Sequence, residues 1–247
     1  LSAQDGSPRW NYPTGGPLFA APLVTGEMLY LPSSDGSLYA LGSRDGSLRW
    51  QFTAPGALHG SPAVSDGVVY LGSNDGRLYA LSAENGAPVW QEGIQTNGAV
   101  ESRPVIAGGR VIFGSADGRV YALAPESGGQ YWRYSTPDGV YASPLVAGDV
   151  VYIASAGHTL SAVDFTSGDR IWELELATAL RSPPVLTGQR LLQTADADPH
   201  LYRIDAESGQ VMAAVDTGDW TAGGPWLVGD MLYLLGKDGA VLAYRLP

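Results

Sequence analysis

No cysteine occurs among the 247 residues, which excludes disulfides, thiol catalysis and cysteine-ligated metals while leaving the compartment open. Positive charge is scarce. Lys and Arg total 14 against 25 Asp and Glu, Lys237 is the only lysine, and the formal net charge is -11. A phosphate backbone is bound through clustered Lys and Arg, so no nucleic-acid partner is expected. Apolar runs of about 18 residues are missing too, and no membrane insertion by this chain is expected. The three histidines, His59, His158 and His200, are far apart and lack i, i+4 spacing, which argues against zinc. There is no G-x-S-x-G elbow, H-E-x-x-H or phosphate loop, so the chain is not expected to be an enzyme. It starts at Leu1 without Met or a signal-peptide pattern, as a mature product or an excised, monomeric domain of a larger protein would.

What is abundant is glycine and a repeat. Gly6, Gly46, Gly86, Gly128, Gly168 and Gly209 are each followed four residues later by Trp10, Trp50, Trp90, Trp132 and Trp172 and, in the last copy, by Ala213. The copies lie 40, 40, 42, 40 and 41 residues apart. A period near 40 built of short strands is that of propeller blades, since helical repeats of this length would show i, i+3, i+4 apolar spacing.

One unit reads directly. Pro62 to Val64 opens a first strand, Gly67 turns it into Val68 to Gly72, and Asn74-Asp75-Gly76 forms a tight hairpin into Arg77 to Ser82. Glu84-Asn85-Gly86 then turns into a fourth strand carrying Trp90. Strands such as Val68 to Leu71 are apolar on both faces, as a blade sandwiched between two neighbours requires.

The predicted fold is all-β, a single domain over residues 1–247. It is a six-bladed propeller with four antiparallel strands per blade, the last blade being closed by the N-terminal strand. Residues 1–10 hold only the end of one strand and a strand with Trp10, while the last unit, Trp220 to Pro247, stops after three. The competing expectation is a piece cut from a longer array, since Leu1-Ser2-Ala3 matches Leu81-Ser82-Ala83 inside a repeat. In the turn of the fifth unit, Asp196 and Asp198 have the chemistry of a calcium site, but without a calcium loop's Gly and terminal Glu an ordinary solvated turn is expected.

The combination of Tyr-Ala-Leu with Glu-Asn-Gly-x-x-x-Trp, as in Leu78 to Trp90, resembles the PQQ-like repeat of bacterial β-propellers along the whole chain. The resemblance implies that the tryptophans dock between blades, with the girdle weakest at Ala213. It also implies three settings. Quinoprotein dehydrogenases bind PQQ with calcium on larger propellers, commonly with a vicinal cysteine pair that is missing here. Outer-membrane assembly lipoproteins are scaffolds. Sensor domains of bacterial receptor serine/threonine kinases are the setting that an excised six-unit domain looks most like, which would place it outside the cytoplasm. No cofactor is expected, with PQQ as the alternative.

Internal comparison of the repeats picks out a candidate site. A proline marks the innermost strand of each blade: Pro22, Pro62, Pro104, Pro144, Pro184 and Pro225. Two residues earlier the side chain is always small, from Ala20 and Gly60 to Ser182 and Gly223, as crowding at an axis demands. Three residues earlier the series is Phe19, His59, Glu101, Tyr141, Arg181 and Ala222, and one residue earlier Arg103 stands out among small residues. Phe19, His59, Glu101, Arg103, Tyr141 and Arg181, joined by Trp220, are therefore the candidate ligand-binding ring at one channel mouth, for a small molecule or a protein partner. The aromatic rings suit a planar ligand and the guanidiniums suit carboxylate or phosphate. The rival reading is a solvated vestibule in which Glu101 pairs with Arg103 or Arg181.

Overall fold

The computed structural model describes residues 2, 4–218, 223–236 and 239–245. All regular structure among them is β, arranged as six antiparallel sheets, one per repeat. Blade 1 contains β1 (Leu23–Thr25), β2 (Met28–Pro32), β3 (Ser37–Gly42) and β4 (Leu48–Thr53); blade 2 contains β5 (Ala63–Ser65), β6 (Val68–Gly72), β7 (Arg77–Ser82) and β8 (Ile94–Gln95). Blade 3 contains β9 (Val105–Ala107), β10 (Arg110–Ser115), β11 (Arg119–Leu123) and β12 (Gln130–Ser135). Blade 4 follows with β13 (Leu145–Ala147), β14 (Val150–Ala154), β15 (Thr159–Asp164) and β16 (Arg170–Glu175). Blade 5 has β17 (Val185–Thr187), β18 (Arg190–Thr194), β19 (His200–Asp205) and β20 (Val211–Asp216), and blade 6 has β21 (Trp226–Val228), β22 (Met231–Leu235) and β23 (Val241–Arg245).

The core lies between blades rather than within them. Alternate residues of β6 face opposite neighbours: Val69 and Leu71 pack with Tyr30, Leu38 and Trp50 of blade 1, while Tyr70 packs with Val111, Phe113 and Tyr121 of blade 3. The same two-sided burial continues through blades 3, 4 and 5, and thins to Leu192, Leu201, Leu232 and Leu234 between blades 5 and 6.

Tryptophan docking explains why the Gly-to-Trp spacing repeats. The indole N–H of Trp50 donates to Ala83 O of the next blade at 3.0 Å, and Trp10, Trp90, Trp132 and Trp172 do the same to Ser43, Pro125, Phe165 and Ala206. Gly86 sits under the Trp50 ring, where a Cβ would come within 2.6 Å, and its φ of 74° lies in the region that favours glycine. Ala40, Ala122 and Ala162 pair directly with Trp50, Trp132 and Trp172, and a register shift beside each pair re-aims the indole towards its neighbour. At Ala213 there is no indole, and the interface that follows has the smallest buried cluster of the five between consecutive blades.

Three local expectations change. Asp75-Gly76 has the composition of a two-residue connection, but positive φ is used only at Gly76 (84°), so the hairpin has three turn residues, Asn74 to Gly76, and Asp75 caps it by accepting the Arg77 N–H at 2.9 Å. In blade 2 the fourth strand is reduced to β8. Trp90 precedes it, because Pro88 has no N–H to give the ladder and Gly93 (φ 69°) inserts a kink.

The third concerns closure, which is not seen. The last sheet has three strands, and no strand occurs among the described residues before β1. The N-terminal segment does repeat the turn preceding a fourth strand, with Gly6 N–H donating to Ser2 O as Gly86 does to Ser82. It docks on blade 1, where Gly46 faces Trp10 and Tyr12 packs against Tyr39 at 5.5 Å. Blade 6 is not brought to it: Val241, at the position of the fully buried Leu78, is 62% exposed.

Candidate functional site

The innermost strands converge as their small residues require. A Cβ on Gly60 would lie 2.8 Å from Glu101 O of the next blade, and Ser102 folds its hydroxyl back onto the Gly114 N–H and C=O, both at 2.8 Å. This close approach brings residues three before the proline of neighbouring blades into contact, Phe19 with His59, His59 with Glu101, and Tyr141 with Arg181.

Within that ring the structure brings side chains together in two groups. Phe19 meets His59 edge-on at 5.1 Å; Phe19 is itself largely exposed. His59 is held by two turns, Nε2 lying 3.1 Å from Ser34 Oγ and Nδ1 3.1 Å from Asn74 Nδ2. Glu101 Oε1 lies 3.6 Å from the same Nδ1. Glu101 therefore faces His59 rather than Arg103 or Arg181.

The second group is Tyr141 with Arg181, whose guanidinium stands 4.9 Å from the ring centroid while its Nε meets Asp196 Oδ2 at 3.1 Å. Asp196 was foreseen only as an acid in a turn. It is the anionic partner of Arg181, and neighbouring Asp198 is equally committed, accepting from Tyr202 and from His200 Nδ1, both at 2.6 Å. His200 is thus half-buried and hydrogen-bonded, while His158 is exposed. Nothing in a single repeat reveals the Arg181 to Asp196 pairing, because Asp196 takes the position of Ser34 and Asn74 in the other turns.

Arg103 is separate from both groups. Its guanidinium has no hydrogen bond or ion pair among the described residues, and it lines a cavity of about 500 Å³ together with Ser65, Ser143, Pro104 and Pro183. Trp220 falls in the segment 219–222, outside the described residues.

A planar tricarboxylate such as PQQ would call for Arg103 and Arg181 on one ligand. Arg181 is turned to Asp196 and Tyr141, and the wall around Arg103 includes Pro183 but not Arg181. The described residues do not form that cradle, and no group of three or more His, Asp or Glu able to hold a metal ion occurs among them.

The fold is that of a β-propeller with chemically mixed residues on its innermost strands, and comparison gives its family. The model for the family described as "Outer membrane protein assembly factor BamB" matches residues 1–119, 95–181 and 156–246. The chain belongs to this family of PQQ-like repeat propellers. No curated protein sequence matches it. Among solved structures, BamB from Moraxella catarrhalis superposes with a TM-score of 0.84 at 21% identity, covering 96% of this chain and 76% of that one. The computationally designed Ika8 protein gives 0.80 at 16% identity over 93% and 71% of the two chains. A quinohemoprotein alcohol dehydrogenase from Comamonas testosteroni gives 0.71 at 16% identity, covering 93% of this chain and 46% of the dehydrogenase. At these identities the structural likeness is one of fold.

Proposed function

We propose that this chain is a non-catalytic binding propeller that holds an anionic ligand in its central channel through Arg103. The supporting observation is a guanidinium without a partner among the described residues, lining a cavity of about 500 Å³. At the equivalent position the other blades carry only Ala21, Ser61, Ser143, Pro183 and Gly224. A charge that serves packing finds a counter-charge, as Arg181 does with Asp196; one left facing a cavity is available to carboxylate or phosphate. The setting we assign is extracytoplasmic, as the sensor domain of a bacterial receptor serine/threonine kinase. An assembly scaffold is the second reading, favoured by the likeness to BamB from Moraxella catarrhalis.

The test is calorimetric titration with a carboxylate series of acetate, succinate, citrate and PQQ, on wild type and Arg103→Ala. Saturable heat from at least one member, lost in the variant at unchanged Tm, is the expected result. Absence of heat from all four, or heat that Arg103→Ala leaves intact, overturns the reading.

A further inference from the structure

Two pairs of consecutive blades leave a groove walled by the same repeat positions. The floor is the first residue of a blade's second strand with the tyrosine two further on, Val68 with Tyr70 and Val150 with Tyr152. One wall is the residue before the tryptophan, Val89 or Ile171, and the other comes from the next blade, Ile106 or Leu186. Two such grooves are open, of about 510 Å³ between blades 2 and 3 and about 470 Å³ between blades 4 and 5. Val89 and Ile171 are 41% and 51% exposed at their rims.

Between blades 3 and 4 the same positions carry rings, Tyr131 where Val89 and Ile171 stand and Phe165 where Pro125 and Ala206 stand, and the chain fills the space itself. Arg110 stands where Val68 and Val150 stand, and its guanidinium lies between the rings of Tyr131 and Phe165, 4.7 and 4.6 Å from their centroids. Its buried Nε has no hydrogen-bond partner, so the two ring faces and a nearby carboxylate hold it. That carboxylate is Asp164, kept below the usual range first by the Ser167 N–H and in part by the charge of Arg110.

Both open grooves lack the arginine; the one between blades 4 and 5 keeps the acid, while the one between blades 2 and 3 has Ala124 at that position and takes its acids from elsewhere. Asp205, the counterpart of Asp164, lines the groove of blades 4 and 5 with Glu207, and Asp66 and Glu126 line that of blades 2 and 3. Glu126 and Glu207 occupy the position that is neutral Thr166 where Arg110 fills the space. The negative charge reaches the floors: burial raises the Tyr70 and Tyr152 pKa values, and Glu126 with Asp66 in one case and Asp205 in the other raise them further.

From this internal example we infer that the two open grooves each take an arginine side chain from an extended basic segment of a partner protein, held by the groove's carboxylates over its Tyr70 or Tyr152 floor. A net charge of -11 draws a cationic segment in, and a planar guanidinium suits walls that include Tyr152 and Trp172.

The probe is the peptide acetyl-Leu-Arg-Leu-amide, with acetyl-Leu-Gln-Leu-amide as control, followed by backbone amide chemical shifts. Saturable shifts are expected in Ile106 to Gly109 and in Leu186 to Gln189, with the glutamine peptide at least about fivefold weaker. Val150→Arg, which fills its groove from within, should abolish the second set and spare the first. Arg110→Val should add a third set between blades 3 and 4. Glu207→Gln, on an exposed turn where folding is not at stake, should weaken the second set about threefold. No saturable shifts in wild type, equal shifts from the glutamine peptide, or shifts untouched by both Val150→Arg and Glu207→Gln would each overturn the inference.

Discussion

The hydroxyl of Tyr79 donates to Asp75 Oδ2 at 2.6 Å, and the pairing recurs as Tyr39 with Asp35, Tyr121 with Asp117 and Tyr202 with Asp198. Each pair ties a hairpin turn to the strand that leaves it. Removing the donor leaves a nearly buried carboxylate short of one hydrogen bond, so Tyr79→Phe should cost about 1–2 kcal/mol in urea unfolding. In a double-mutant cycle with Asp75→Asn the two losses should overlap; full additivity would mean the pair is idle.

The same pairs predict a pH dependence at both ends. Burial, then the hydrogen bond to the aspartate, pushes Tyr121 and Tyr202 up to about 12. A raised folded pKa means that this stabilisation is complete below the unfolded value of about 10 and is lost as pH climbs through the folded one. Phenolate absorbance should therefore show a late-titrating group of tyrosines, Tyr121 and Tyr202 among them, whose ionisation coincides with falling Tm. At the acid end burial, the largest single influence, opposes ionisation of Asp35 and Asp198, but the hydrogen bonds together outweigh it and lower both pKa values, those from Tyr39 and Ser37 at Asp35 and from Tyr202 and His200 at Asp198. Their contribution is present above about pH 4 and disappears as pH falls through the lowered values, which Tm measured down the acid limb should follow.

His158 occupies, at φ 67°, the turn position where Gly36, Gly76 and Gly118 have φ of 85°, 84° and 76°. A side chain there is strained by about 1–2 kcal/mol, partly offset by the lower unfolded-state entropy of a non-glycine residue. His158→Gly should stabilise the protein by roughly 0.5–1 kcal/mol. A lower Tm would show that the imidazole makes a compensating contact.

Trp132 is 5% exposed, donates to Phe165 O at 2.9 Å and covers Gly168. Trp132→Ala should cost about 3–5 kcal/mol. Gly168→Ala should also destabilise, since its Cβ would fall 2.8 Å from the indole at a φ of 76°. Chemical denaturation of the two variants would measure how strongly neighbouring blades are coupled; a loss below about 1 kcal/mol for Trp132→Ala would rule out the girdle as a main source of stability.

Arg181 and Asp196 are both about half exposed, so Arg181→Ala should change stability by no more than about 1 kcal/mol. It should also leave intact any carboxylate binding that Arg103→Ala abolishes. Loss of binding in both variants would unite the two arginines in one site.

The period of about 40 residues, with its glycine and tryptophan, made the blades legible in the sequence, because strands, hairpins and a docked indole depend on local spacing. Proline and the small residues before it placed the innermost strands for the same reason. Which side chains meet was another matter. Glu101 was as free on paper to pair with Arg103 or Arg181 as with His59, and only the fold set it beside the imidazole. Asp196, from a turn of blade 5, pairs with Arg181, while Arg103 lines its cavity without a partner among the described residues. Arg110 showed nothing in the sequence beyond a strand residue, yet the approach of blade 4 sandwiches it between Tyr131 and Phe165. The sequence alone determined the repeating scaffold, since its periodic residues interact at fixed offsets. The tertiary structure decided the chemistry at the mouth and in the grooves, since those contacts join residues from different blades and turn on where each side chain finds a counter-charge or a ring.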